Sequence, residues 1–76
     1  MTIRYRLIEL MRTWEQEKGE PAGSLTFRRL AGLIALSPDT LNRIANQKVT
    51  RIDHDTVEKL CGFFGCDIQD LMVREK

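Results

Sequence analysis

Cysteine, histidine and proline are scarce in this chain of 76 residues, which has two Cys, one His and two Pro. Cys61 and Cys66 are five apart around one helix end, a poor geometry for a local disulfide and not a zinc spacing. They read as core and staple residues, and the domain has to stand on apolar packing. His54 lies alone between Asp53 and Asp55 and reads as a surface histidine. No metal set, paired catalytic carboxylates, phosphate loop or nucleophile with a base stands out, so neither an enzyme nor a cofactor is expected. Long apolar runs are missing as well. Nothing approaches the ~20 residues of a membrane helix, and Met-Thr-Ile-Arg-Tyr-Arg at the N-terminus lacks the apolar core of a leader. The cytoplasm, with both thiols reduced, is the expected compartment, and no membrane partner is expected.

What is present is an ordinary globular balance of 42% apolar and 30% charged residues. The length allows one domain, residues 1–76, with a core small enough that a dimer interface would be a natural supplement. Net charge is only +1, but it is unevenly placed. Residues 1–24 balance to zero and residues 53–76 come to −3. Residues 25–52 carry Arg28, Arg29, Arg43, Lys48 and Arg51 against Asp39 alone, leaving +4. That is where phosphates would lie on a nucleic-acid-binding surface.

Apolar residues recur at helical intervals along most of the chain. Ile3, Leu7, Leu10, Met11 and Trp14 predict a first helix over about Thr2–Glu17. Trp14 is expected to anchor the core, with Arg4, Glu9, Arg12 and Glu15 on a solvated face. A polar, Gly/Pro-broken loop follows at residues 18–24. Further helices are predicted at about 26–34, 38–46 and 54–64, with Leu30, Ala31, Leu33 and Ile34 on one inward face of the second. Gly65 is placed just past the fourth helix, free to take positive φ. Asp67 caps a short final helix reaching about Val73. Leu25 with Leu30, Leu36 with Leu41, Ile52 with Val57 and Cys66 with Leu71 repeat one device. In each, an apolar residue before the cap meets another at the fourth helical position.

Within this order, Thr26 to Ile44 has the pattern of a helix-turn-helix. Thr26 caps one short helix. Ser37 caps the next, with Pro38 at its first position, where the missing N–H costs nothing. Leu41 and Ile44 face inward while Asp39, Thr40, Asn42 and Arg43 face out.

These residues resemble the Cro/CI-type (XRE-like) helix-turn-helix domains of phage repressors and small bacterial regulators. Leu30-Ala31, Leu36-Ser37-Pro38 and Thr40-Leu41-Asn42-Arg43-Ile44 match the buried pair, the turn and the recognition helix. Ala45-Asn46-Gln47-Lys48 is similar to the family's Asn-Gly-Lys exit, and 53–61 and 64–71 to its closing helices. The resemblance implies an all-α, compact five-helix bundle of lambda-repressor type, with the helix-turn-helix at helices 2 and 3. Three departures stand out. Ala35 occupies a turn position that usually holds Gly, Phe27 replaces a phosphate-binding Gln, and the 18–24 loop is long.

The resemblance implies that the recognition helix lies in the major groove of double-stranded DNA. Pro38, Asp39, Thr40, Asn42 and Arg43 would then face base edges. A bidentate bond from Arg43 to guanine would be worth ~1–3 kcal/mol of discrimination. Arg28, Arg29, Ser37, Lys48 and Arg51 are the phosphate candidates, with backbone amides at the two helix starts. Phe63, with Ile68 and Met72, is the candidate dimer surface. The leading reading is a sequence-specific DNA-binding regulator acting as a homodimer. The alternative is a protein-interaction module, an antitoxin-like or regulatory partner with weak or no specific DNA binding.

Overall fold

Thr2–Tyr5 forms a strand, β1, where the 3.6-residue pattern predicts the first turn of a helix. The computed structural model describes residues 2–49 and 51–75. Within it β1 pairs antiparallel with β2, Met72–Glu75, in the register Ile3↔Arg74, Arg4↔Val73, Tyr5↔Met72. The all-α expectation is therefore corrected, among the described residues, to a mostly helical fold of five helices closed by a two-stranded sheet. The helical reading took Ile3 as an inward residue in phase with Leu7. Ile3 is instead 51% exposed, and Tyr5, which that reading passed over, is buried. Thr-Ile-Arg-Tyr is rich in β-formers, and pairing with a distant strand outweighs the local helical pattern. For the same reason the last helix stops before Val73: Met72 turns extended (φ −117°, ψ 118°) and enters β2.

The helices are α1 (Leu7–Lys18), α2 (Phe27–Ile34), α3 (Pro38–Ala45), α4 (His54–Phe64) and α5 (Ile68–Leu71). Four of them begin at the residues that the staple pattern marks. Thr26 accepts the Arg29 N–H at 3.1 Å, Ser37 the Thr40 N–H at 3.1 Å and Asp53 the Thr56 N–H at 2.9 Å. Asp67 and Asp70 form a capping box at α5. Helix α1 starts differently. Arg6 offers no side-chain cap, and its own N–H donates to the Leu71 carbonyl at 2.7 Å, so the end of α5 ties down the start of this helix.

Leu7, Met11, Leu25, Leu30, Leu41, Ile44, Leu60 and Leu71 are sealed from solvent. Every helix contributes to this set, and each such side chain stabilises the fold by roughly 1.5–3 kcal/mol on leaving water. Leu33 does not join them. At 56% exposed it lies roughly 100° of helical rotation away from the Leu30–Ala31–Ile34 face. Trp14 is half-buried at the margin of the core. It stacks on Phe63 at 5.6 Å, and Phe63 meets Phe64 edge-on at 5.1 Å. Cys61 and Cys66 are free and half-buried. Burial first, and the adjoining Cys61 next, push the Cys66 thiol up to about 11, leaving it protonated at neutral pH.

Glu15 corrects the expected solvated face of α1. It is 1% exposed, on the same stripe as Leu7 and Met11. Its carboxylate accepts the Leu25 N–H at 2.7 Å and two bonds from Arg12 at 2.9 and 3.0 Å. Burial alone would raise its pKa. The backbone amides of Leu25 and Gly23, together with the Arg12 guanidinium, outweigh that and hold it below the usual carboxylate value. The carboxylate thus fixes the incoming end of the 18–24 loop against α1, which is how a polar segment delivers Leu25 to the core.

Candidate nucleic-acid interface

The turn between α2 and α3 depends on Ala35, which takes the left-handed conformation (φ 58°, ψ 45°) expected of a position that favours Gly. The Leu36 N–H donates to the Ala31 carbonyl at 3.0 Å, closing the end of α2. From α4, Lys59 reaches the Ala35 carbonyl at 3.4 Å while pairing with Asp55 at 3.0 Å. A strained turn is thereby held from both sides, and α3 leaves it at a fixed angle.

Helix α3 buries Leu41 and Ile44 and turns Pro38, Asp39, Asn42 and Arg43 to solvent, with Thr40 half-buried between the two faces. The Ser37 hydroxyl accepts the Thr40 N–H and lies 2.8 Å from the Thr40 hydroxyl, so one hydroxyl donates to the other at the start of the helix. Asp39 lies 3.5 Å from Arg43 Nε, one turn on, and both side chains are largely exposed. Such a pair adds little stability. It does bias the guanidinium along the helix while leaving its terminal nitrogens available. The Asn46 amide donates to both the carbonyl and the side-chain oxygen of Asn42, fixing that side chain at the end of α3.

Three of the basic candidates, Arg28, Lys48 and Arg51, are exposed and form no ion pair among the described residues. Arg51 shares a cleft of about 200 Å³ with Thr40 and Arg43, and its wall is completed by Asp53 and Thr56 at the start of α4. Two of the readout candidates and one phosphate candidate therefore border a single depression. Arg29 is placed otherwise. It binds Glu20 at 2.6 Å and lies over the Trp14 ring at 5.3 Å. The hydrogen bond to Glu20 lifts its pKa further, and Glu20 is lowered in return. The Arg29 guanidinium is part of the 18–24 loop's attachment to the core.

The suggested dimer residues sit on three successive elements. Phe63 in α4 is held between Trp14 and Phe64, Ile68 in α5 is 55% exposed, and Met72 in β2 is half-buried. His54 is exposed and 3.7 Å from Glu58. No group of three or more His, Cys, Asp or Glu residues suited to a metal occurs among the described residues, nor any helix long and apolar enough to cross a membrane.

Gln47 carries no local sequence signal beyond its place at the exit of α3. It stands where the similar family exit has Gly, and it adopts a positive φ of 60°. Its side-chain amide bonds both backbone groups of Tyr5. The one available signal was a large polar residue in a glycine slot.

Residues 23–76 match the family described as the Cro/C1-type HTH DNA-binding domain, a stretch that begins in the loop before α2 and runs through α5 and β2. No curated protein and no solved structure matches the chain.

Proposed function

Because the chain belongs to the family of Cro/C1-type helix-turn-helix DNA-binding domains, we propose that it is a cytoplasmic, sequence-specific transcriptional regulator that inserts α3 into the major groove of double-stranded DNA. One observation carries this reading. The solvent face of α3 presents Arg43 beside Thr40 and Asn42, Arg51 borders the same cleft as Thr40 and Arg43, and Arg28, Lys48 and Arg51 are exposed with no ion pair among the described residues. Arg43 reads a guanine. Thr40 and Asn42 contact neighbouring bases, and Pro38 packs at the start of the helix. Asp39 supports the helix dipole and orients Arg43. Arg28, Lys48, Arg51 and the amides at Ser37 hold phosphates. A homodimer would set two such helices on half-sites ~34 Å apart. Exposed Ile68 offers an apolar contact for it, supported by Phe63 and Met72.

The test is selection of genomic duplex fragments by purified protein, with binding followed at two salt concentrations and mass measured in solution. A pseudo-palindromic site, steep salt dependence and a dimeric mass support the proposal. Absence of any enriched sequence would favour the protein-interaction reading, for which exposed Leu33 and the cleft lined by Ile8, Met11 and Phe27 are the surfaces to probe.

A further inference from the structure

We infer that Gln47 is a positioning residue for the DNA-binding surface, fastening the exit of α3 to β1 and so fixing where Lys48 and Arg51 stand. The inference rests on the DNA-binding reading of α3. Gln47 Oε1 accepts the Tyr5 N–H at 2.7 Å, and Nε2 donates to the Tyr5 carbonyl at 2.8 Å and to the Ala45 carbonyl at 3.3 Å. In an antiparallel pair, backbone groups point alternately toward and away from the partner strand. The Arg6 N–H donates inward to Leu71, so the N–H and carbonyl of Tyr5 face the outer edge of the sheet. There the amide of Gln47 takes the place of a third strand, supplying one donor and one acceptor to a residue that is only 6% exposed. Without it, both groups would need another partner or water at a part-buried site.

The backbone of Gln47 makes the arrangement more telling. The Gln47 N–H donates to the Ile44 carbonyl and the Lys48 N–H to the Arg43 carbonyl, the two bonds of a Schellman exit. Such an exit needs positive φ at its central residue, and glycine meets that need without strain. A glycine would have no amide to reach Tyr5. The side chain therefore does something that the turn itself does not require. It links the end of the readout helix to a strand 42 residues earlier, and the chain leaves for Lys48 and Arg51 from that fixed point.

The experiment compares Gln47→Gly, Gln47→Asn, Lys48→Ala/Arg51→Ala and the combinations. Both Gln47 variants tolerate positive φ, and Asn is one methylene too short to span the gap. Binding is measured to duplexes recovered from a randomised pool, alongside thermal stability and hydrogen exchange at the Tyr5 amide. Both variants should remain folded, exchange faster at Tyr5 and bind about tenfold more weakly. In the Lys48→Ala/Arg51→Ala background the same change should cost less than about threefold, since positioned groups couple and independent ones add. Wild-type binding by both variants, or an equal loss in both backgrounds, would overturn the inference. A wild-type chain that enriches no duplex would overturn the DNA reading and this role with it. Unchanged Tyr5 exchange beside intact wild-type binding would overturn only the link.

Discussion

The loop between α1 and α2 and the strip around α3 treat charge in opposite ways. Against the loop, Glu15 of α1 is buried and bonded to Arg12 and the Leu25 amide, and Glu20 holds Arg29 over Trp14. By contrast, Arg28 at the start of α2 and Lys48 and Arg51 after α3 stand exposed and unpaired among the described residues. Arg28 and Arg29 are adjacent in sequence, yet one belongs to each regime. The difference separates charge that shapes the fold from charge left free for a polyanion. Residue type and local density could not make that separation, because both arginines lie in the same basic segment.

The strongest way to break the comparison is at Glu15. Replacing it with Ala leaves the Leu25 amide and Arg12 without their acceptor, and should lower the melting midpoint by on the order of 10 °C. Its pKa is depressed in the fold, so its stabilisation is present above the unfolded carboxylate value of 4.5 and is lost as pH falls through the folded value. Thermal melts between neutral and acid pH should show that loss, and Glu15→Gln should flatten the profile. Retention of the full acid sensitivity in Glu15→Gln would assign it to other carboxylates, such as Glu20 or Asp53, which are lowered too.

Next in size is Arg43→Ala. It should weaken binding to the selected duplex by roughly five- to hundredfold and relax one base pair, the loss of ~1–3 kcal/mol of discrimination. Equal loss on random DNA would remove Arg43 from the readout. The two arginines sharpen the contrast directly. Arg28→Ala, like Lys48→Ala or Arg51→Ala, should reduce the salt slope by about one and leave the preferred sequence unchanged. Arg29→Ala should lower thermal stability and leave the slope alone. A reversed result for the pair would mean that the loop opens on DNA. The smallest effect is expected for Ala35→Gly, a gain of up to about 1 kcal/mol as the left-handed turn loses its side chain, measured by denaturant titration.

Much of this architecture was legible because its signals are local. The starts of α2 to α5 follow from Thr26, Ser37, Asp53 and Asp67, each flanked by its apolar pair, while the special turn position of Ala35 comes from the family resemblance, which usually has Gly there. What escaped depends on partners far along the chain. The β1 strand shares its spacing with a helix until Met72–Glu75 is there to pair with it. Glu15, with Arg12 three residues before it, looks like a surface ion pair until the loop returns to cover it. For Gln47 the missing knowledge was the position of Tyr5. In the candidate site, charge density marks one stretch as a whole, and only packing separates Arg28 from Arg29.

The register that sets Thr2 beside Glu75 also has a kinetic consequence. The contacts between α2 and α3 close over a few residues, whereas the sheet closes a ring of almost the whole chain. Ring closure of that length carries the largest entropic cost in the molecule and is compensated only after the helices have packed. The helix-turn-helix is thus expected to assemble early and the sheet to zip last. On mild destabilisation the order reverses, with β1 and β2 the first to part while α3 remains folded on its core.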